Sequence, residues 1–152
     1  MHNHIQEWVK KKIIKILKQD ASLSTHKITK RTLIPQTTVL NRIKKLKRLG
    51  IINKFTIDLN YKKLDQKAKA LIFTKVNIGK EKEQFGKIGT IEKTLLKHPN
   101  VLNVKRLMGE WDFVLEIVCK DIDDLNQFLI KEVRSINSVI ETKTVVVLEE
   151  WT

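Results

Sequence analysis

With 152 residues, 41% of them hydrophobic, the chain is long enough for one ordinary domain or two small ones and too rich in Ile, Leu and Val to be disordered. Its 30 Lys and Arg against 17 Asp and Glu give a formal charge of +13, distributed unevenly: residues 1–65 carry net +12 and residues 66–152 net +1. A polyanion partner is therefore expected for the first half, while the second is an almost neutral module with another task.

Ile5, Trp8, Val9, Ile13, Ile16 and Leu17 recur at helical spacing with lysines between them, which predicts a first helix. Ser24 is placed to cap a short second helix from Thr25 to Thr32, with Ile28 facing inward. Leu33 to Pro35 reads as a tight connection, because proline excludes the preceding residues from easy helix continuation and is itself tolerated at a helix start. In the third helix, Gln36 to Leu49, Val39, Ile43, Leu46 and Leu49 form the apolar stripe and Gly50 the expected left-handed stop. Its other face carries Gln36, Thr37, Thr38, Asn41, Arg42, Lys45 and Arg48, flanked by Lys44 and Lys47, with no acidic residue from Gln36 to Ile57. Three helices, the last two joined by a tight turn, make a helix-turn-helix pattern. The run from Ile51 to Tyr61 reads as a strand and connector ending near Asp65. The expected domains are 1–52 (helix-turn-helix), 53–65 (strand and linker) and 66–152.

Beyond Asp65 the pattern predicts a strand over Ala70 to Ile78, a helix over Glu83 to Lys97, a strand over Val101 to Met108, a turn at Gly109 to Asp112 and a nearly all-apolar strand over Phe113 to Cys119. Asp121 caps a further helix whose core face is Ile122, Leu125, Phe128, Leu129 and Val133, and Val139 to Leu148 closes the chain as a strand. The order β-α-β-β-α-β predicts an α+β module, a four-stranded antiparallel sheet with both helices on one side. Leu71, Phe73 and Val145 are candidates for the uncovered face, where a second subunit is expected.

The single Cys119 lies in an apolar run, so the expectation is a buried free thiol and no internal disulfide. His2, His4, His26 and His98 are not spaced as a metal set, and Asp121, Asp123 and Asp124 are better explained as helix capping. No metal or cofactor is expected. No apolar run approaches the ~18 residues of a membrane span, and no signal segment precedes the first helix, so a cytoplasmic protein without a membrane partner is expected.

Three segments, in order, carry a resemblance: Leu40 to Ile52 (LNRIKKLKRLGII), the turn Gly109-Glu110-Trp111-Asp112-Phe113, and the closing Thr144 to Glu150 (TVVVLEE). With the predicted topology, the chain resembles the Lrp/AsnC (feast/famine) transcriptional regulators. The resemblance implies an N-terminal, winged-helix-like DNA-binding domain and a C-terminal ferredoxin-like domain. It also implies dimerisation through the sheet, further assembly into tetramers or octamers, and an amino acid or similar metabolite bound between C-terminal domains. Carried over by position, the effector residues are Met108, Gly109, Glu110, Trp111 and Asp112, with Val145, Val146 and Val147. Glu110 and Trp111 depart from the family's usual Asp and Tyr or Phe. Leu33 stands where a turn glycine is usual, and the expectation is a slightly reshaped turn that needs no positive φ there; Pro35 stands where a capping serine is common.

A basic helix face is ordinarily just solvated. Here the basic residues accompany Gln, Thr and Asn at the helix start, types that read base edges while Arg and Lys hold phosphates. The expected DNA contacts are Gln36, Thr37, Thr38, Asn41 and Arg42 toward bases or nearby phosphates, with Lys30, Arg31, Lys44, Lys45 and Arg48 positioning; Thr38 and Arg42 are singled out. From spacing alone, Gly109 to Asp112 is a tight hairpin turn, and only the resemblance makes it a ligand site. The functional expectation is a sequence-specific regulator on double-stranded DNA, working as a homodimer or higher oligomer, and not an enzyme. The alternative is a tetrapyrrole (siroheme-type) decarboxylase of the same two-domain architecture, against which the lack of well-placed histidines in the second half counts.

Overall fold

A computed structural model describes residues 2–151, with side chains from residue 4. It forms two compact units that divide between Asp58 and Leu59, inside the connector expected at 53–65.

The first unit packs α1 (His2–Gln19), α2 (Thr25–Thr32) and α3 (Gln36–Arg48) around Val9, Ile13, Ile28, Ile34 and Val39, with Ile16, Leu17, Leu23 and Ile43 at the margin. Burial along α1 begins at Val9, so Ile5 and Trp8, although in phase with the core row, are exposed. Leu49 is exposed too, because α3 ends at Arg48 and Leu49 is already its cap. The Ser24 hydroxyl accepts the Lys27 N–H as expected, and Gly50 takes up the left-handed stop at φ 67°.

The α2–α3 turn departs from expectation. Leu33 is left-handed, at φ 61° and ψ 15°, so the turn keeps the backbone path of a glycine turn instead of reshaping to avoid it. Thr32 makes this tenable. Buried in the unit, its hydroxyl donates to the Ile28 carbonyl at 2.8 Å and accepts the Ile34 N–H at 3.2 Å, while the Leu33 N–H reaches the Thr29 carbonyl at 2.8 Å.

The strand expected after Gly50 does not form: residues 51–60 are irregular and lead to a short 3₁₀ turn, Tyr61–Leu64. A strand needs a neighbour for its N–H and C=O groups, and the rest of this unit is helical. Ile51, Ile52, Phe55 and Ile57 instead line an open groove with Ile14 and Leu17 of α1.

The second unit is a four-stranded antiparallel sheet of order β2-β3-β1-β4, built from β1 (Ala68–Val76), β2 (Val101–Arg106), β3 (Phe113–Cys119) and β4 (Val139–Val147). Alternation sends Ala68, Ala70, Ile72, Phe113, Leu115 and Ile117 to one face, against Ile91, Leu95, Leu125, Phe128, Leu129 and Val133 of the helices. The helix expected over Glu83 to Lys97 is two: α4 (Ile78–Phe85) and α5 (Thr90–Leu95). Gly86 and Gly89, at φ 75° and 84°, break it. Gly89 brings no capping side chain to α5, and Glu81 supplies one from α4: fully buried, its Oε1 accepts the N–H groups of Gly89 (2.8 Å), Thr90 (3.0 Å) and Ile91 (3.5 Å). The last helix, α6 (Ile122–Phe128), is capped by Asp121 accepting the Asp124 N–H and runs on through one widened turn, Leu129–Val133. Ile122 is exposed, unlike the rest of its expected core face, because it opens the first turn beside the cap.

Two stability predictions follow from these junctions. A left-handed non-glycine residue costs about 1–2 kcal/mol, of which glycine's unfolded-chain entropy takes back about 0.5–1. The Leu33 side chain is 90% exposed, so Leu33→Gly should raise stability by about 0.5–1 kcal/mol; a lowered melting temperature would contradict this. Glu81→Ala removes one acceptor from three buried or half-buried donors and should cost about 2–4 kcal/mol, with Glu81→Gln losing less. Urea titration checks both, and equal losses for Ala and Gln would argue against capping as the cause.

Candidate nucleic-acid interface and effector turn

Thr37, Asn41, Lys44 and Arg48 follow one another at spacings of four, three and four, and all are exposed. They form the outermost row of α3, opposite Val39 and Leu46 in the core. Gln36 and Lys45 are exposed beside this row, and so are Lys30 and Arg31 in the last turn of α2. Thr38 and Arg42 lie on the flank and are half-buried, so the two residues singled out from sequence are the least accessible of the ten. The helix starts without a side-chain cap, which leaves first-turn N–H groups beside Gln36, Thr37 and Thr38 for an anion. Gln36 donates through Nε2 to Thr25 Oγ1 at 3.2 Å, tying the starts of α2 and α3 together. Thr25 escaped the sequence reading because the contact is tertiary.

In the second unit the turn after β2 is held by its own backbone and by Asp112. The Leu107 N–H donates to the Asp112 carbonyl at 2.8 Å, the Asp112 N–H to the Thr74 carbonyl at 3.0 Å, and Asp112 Oδ2 accepts the Val76 N–H at 2.8 Å. Asp112 thus fastens the turn to the end of β1. Trp111 lies on the sheet face away from the helices, its ring centre 6.1 Å from that of Phe73, with Lys75 Nζ 4.6 Å above it. Lys75 also pairs with Glu141 at 2.9 Å and Glu110 at 3.6 Å. The hydrogen bond to Glu141, against partial desolvation, holds its ammonium above the usual lysine range. Met108, Gly109 and Glu110 are exposed at the tip.

Within one chain the turn does not reach Val145, Val146 and Val147 of the last strand. Val145 pairs with Leu71, Val146 with Ala70 and Val147 with Lys69, whereas the turn is anchored at Thr74 and Val76. Three or more residues at ~3.3 Å each separate them by at least about 10 Å along the sheet. Val145 and Val147 share the open face; Val146 points to the other.

The remaining chemistry is committed elsewhere. Burial pushes the Cys119 thiol up, so it stays protonated at neutral pH. His98 accepts the Asn100 N–H through Nδ1 at 3.2 Å and packs edge-on to Phe128. The side chain of His2 lies outside the described residues, among which no three His, Cys, Asp or Glu side chains gather as a metal site. No helix among them is long and apolar enough to cross a membrane.

Residues 74–152 match the family model of the Lrp/AsnC ligand binding domain, and residues 9–53 match winged helix-turn-helix DNA-binding. The chain is 36% identical over 141 residues to the HTH-type transcriptional regulator FL11 of Pyrococcus furiosus, spanning 93% of this chain and 88% of that protein. Escherichia coli AsnC has the same fold (TM-score 0.76, 22% identity, 93% and 91% of the two chains). So does a Neisseria meningitidis transcriptional regulator solved with L-methionine (TM-score 0.82, 22% identity, 95% and 90%).

Proposed function

Because this chain belongs to the Lrp/AsnC family of helix-turn-helix transcriptional regulators, and so is a DNA-binding regulator, we propose that α3 reads its DNA site through Thr37, Asn41 and the adjacent Gln36, Thr38 and Arg42. Lys30, Arg31, Lys44, Lys45 and Arg48 hold the phosphates on either side. The observation that carries this reading is the acid-free outward row of α3 beginning at a helix start with no side-chain cap. Short polar groups stand where a helix enters a major groove, and cations follow along its length.

Two such helices read a pseudo-palindromic site when the chain is paired, and the open sheet face is the surface for pairing. Leu71, Phe73, Val114, Val145 and Val147 give it an apolar centre, and the pairs of Lys69 with Glu116 (2.8 Å) and Lys75 with Glu141 lie within it. A dimer built on this face, and tetramers or octamers built on the dimer, place the Gly109–Asp112 turn of one chain beside other chains. That is how Met108, Gly109, Glu110, Trp111 and Asp112 come to share an effector site with Val145 and Val147 of another copy; Val146, turned to the opposite sheet face, lies outside it. The L-methionine bound by the Neisseria regulator supports an amino acid as the effector class. Such a regulator works in the cytoplasm.

The enzymatic alternative asks for a side chain poised for acid–base chemistry, and His98 is instead engaged with Asn100 and Phe128.

Gel shifts on a DNA site obtained by in-vitro selection test the reading surface. Thr37→Ala and Asn41→Ala should each weaken specific binding about 10- to 100-fold, while Lys45→Ala should weaken binding to all sequences and flatten the salt dependence by about 0.9 per bound chain. Unchanged affinity in Asn41→Ala would sink the assignment of α3. For assembly, sedimentation of Leu71→Glu/Phe73→Glu should give monomers where the parent chain gives dimers or larger species. An unchanged mass would move the interface off this face.

A further inference from the structure

Helix α1 carries Lys10, Lys11, Lys12, Lys15 and Lys18 against one acid, Glu7. Two of these lysines are engaged within the unit. Lys10 pairs with Glu7 at 3.4 Å, and Lys12 donates to the Thr32 carbonyl at 3.3 Å while lying 4.6 Å from the centre of the Trp8 ring. Lys11, Lys15 and Lys18 are exposed and make no ion pair among the described residues. Spaced four and three apart, they line the side of α1 opposite Val9 and Ile13 in the core, with exposed Trp8 beside them.

Helix stability does not account for this row. Like charges at such spacings repel, and although Lys18 sits in the last turn, where the helix dipole favours a cation, Lys11 and Lys15 are mid-helix. The charge complement that suits the row is the phosphate backbone of a duplex: seven residues at 1.5 Å span about 10 Å, and each DNA strand presents a phosphate for about every 3.4 Å of duplex axis.

We propose that Lys11, Lys15 and Lys18 form a second, sequence-independent contact with the DNA backbone, on a side of the first unit distinct from the reading surface of α3. The two helices share one core, with Val9 and Ile13 of α1 and Val39 and Ile43 of α3 turned into it. Their outward rows therefore leave that core in different directions. A short site occupies α3 alone; longer DNA that extends beyond it and bends back reaches α1 as well, so affinity rises with DNA length. This inference rests on α3 as the DNA reader.

The test compares the full chain, a Lys11→Gln/Lys15→Gln/Lys18→Gln variant and Asn41→Ala on two duplexes: a selected site of about 20 bp, and the same site centred in about 150 bp of mixed sequence. Thermal melting confirms that the exposed triple substitution leaves the fold intact. The triple variant should bind the short duplex within about twofold of the parent and the long duplex at least about tenfold more weakly, with a log–log salt slope shallower by about 2–3 per bound chain. Asn41→Ala should lose affinity on both lengths. Parent-like affinity and salt slope of the triple variant on the long duplex overturn the inference with the α3 reading intact. Equal losses on both lengths overturn it as well, because they place the row at the reading surface itself. A parent chain that binds neither duplex overturns the α3 reading and this inference together.

Discussion

The attitude of α3 depends on one buried hydroxyl. Thr32 Oγ1 closes the end of α2 by donating to the Ile28 carbonyl and opens the path to α3 by accepting the Ile34 N–H. Between these bonds Leu33 holds a left-handed backbone that its side chain disfavours. Lys12 adds a tether from α1 to the Thr32 carbonyl, so all three helices converge on this turn. Val39 and Ile43 can then face the common core while Thr37, Asn41, Lys44 and Arg48 face outward. A turn that holds strain persists only where its surroundings over-determine it, and here the constrained turn supports the face of α3 proposed to read DNA.

The second unit solves a different problem with the same economy of burial. Its helices cover one sheet face with Ile, Leu, Val and Phe; the other face mixes apolar residues with ion pairs. Burial works against the charge on Lys69, yet the hydrogen bonds it donates to Glu116 and Glu150 outweigh that and keep the ammonium above the usual range. Paired charges around an apolar centre suit a surface that is covered in an assembly, since an unpaired buried charge is costly.

Where periodicity alone determines an element, the sequence was readable: the three first helices, the β-α-β-β-α-β order, the Phe113–Cys119 strand, and the caps at Ser24 and Asp121. Features that depend on one particular hydrogen bond, or on a partner strand, were not. Leu33 is left-handed because Thr32 is buried and bonded twice. The Glu83–Lys97 pattern is helical on both sides of a break whose second half is capped by Glu81, a residue outside the expected helix. The run after Gly50 has strand composition but no neighbour in its own unit. At the site, the outward residues of α3 were legible from spacing, but Thr38 and Arg42 proved half-buried because they sit beside the core stripe. The candidate effector residues were legible only by resemblance, and the register separates Val145, Val146 and Val147 from the turn within one chain.

The central claim is that paired copies of α3 lie in successive major grooves. Hydroxyl-radical and methylation-protection footprinting on a selected site tests it directly. The account predicts two protected major-groove patches with centres about one helical turn apart, or an integral number of turns, on one face of the duplex. A single unpaired patch, or protection confined to the minor groove, would contradict it.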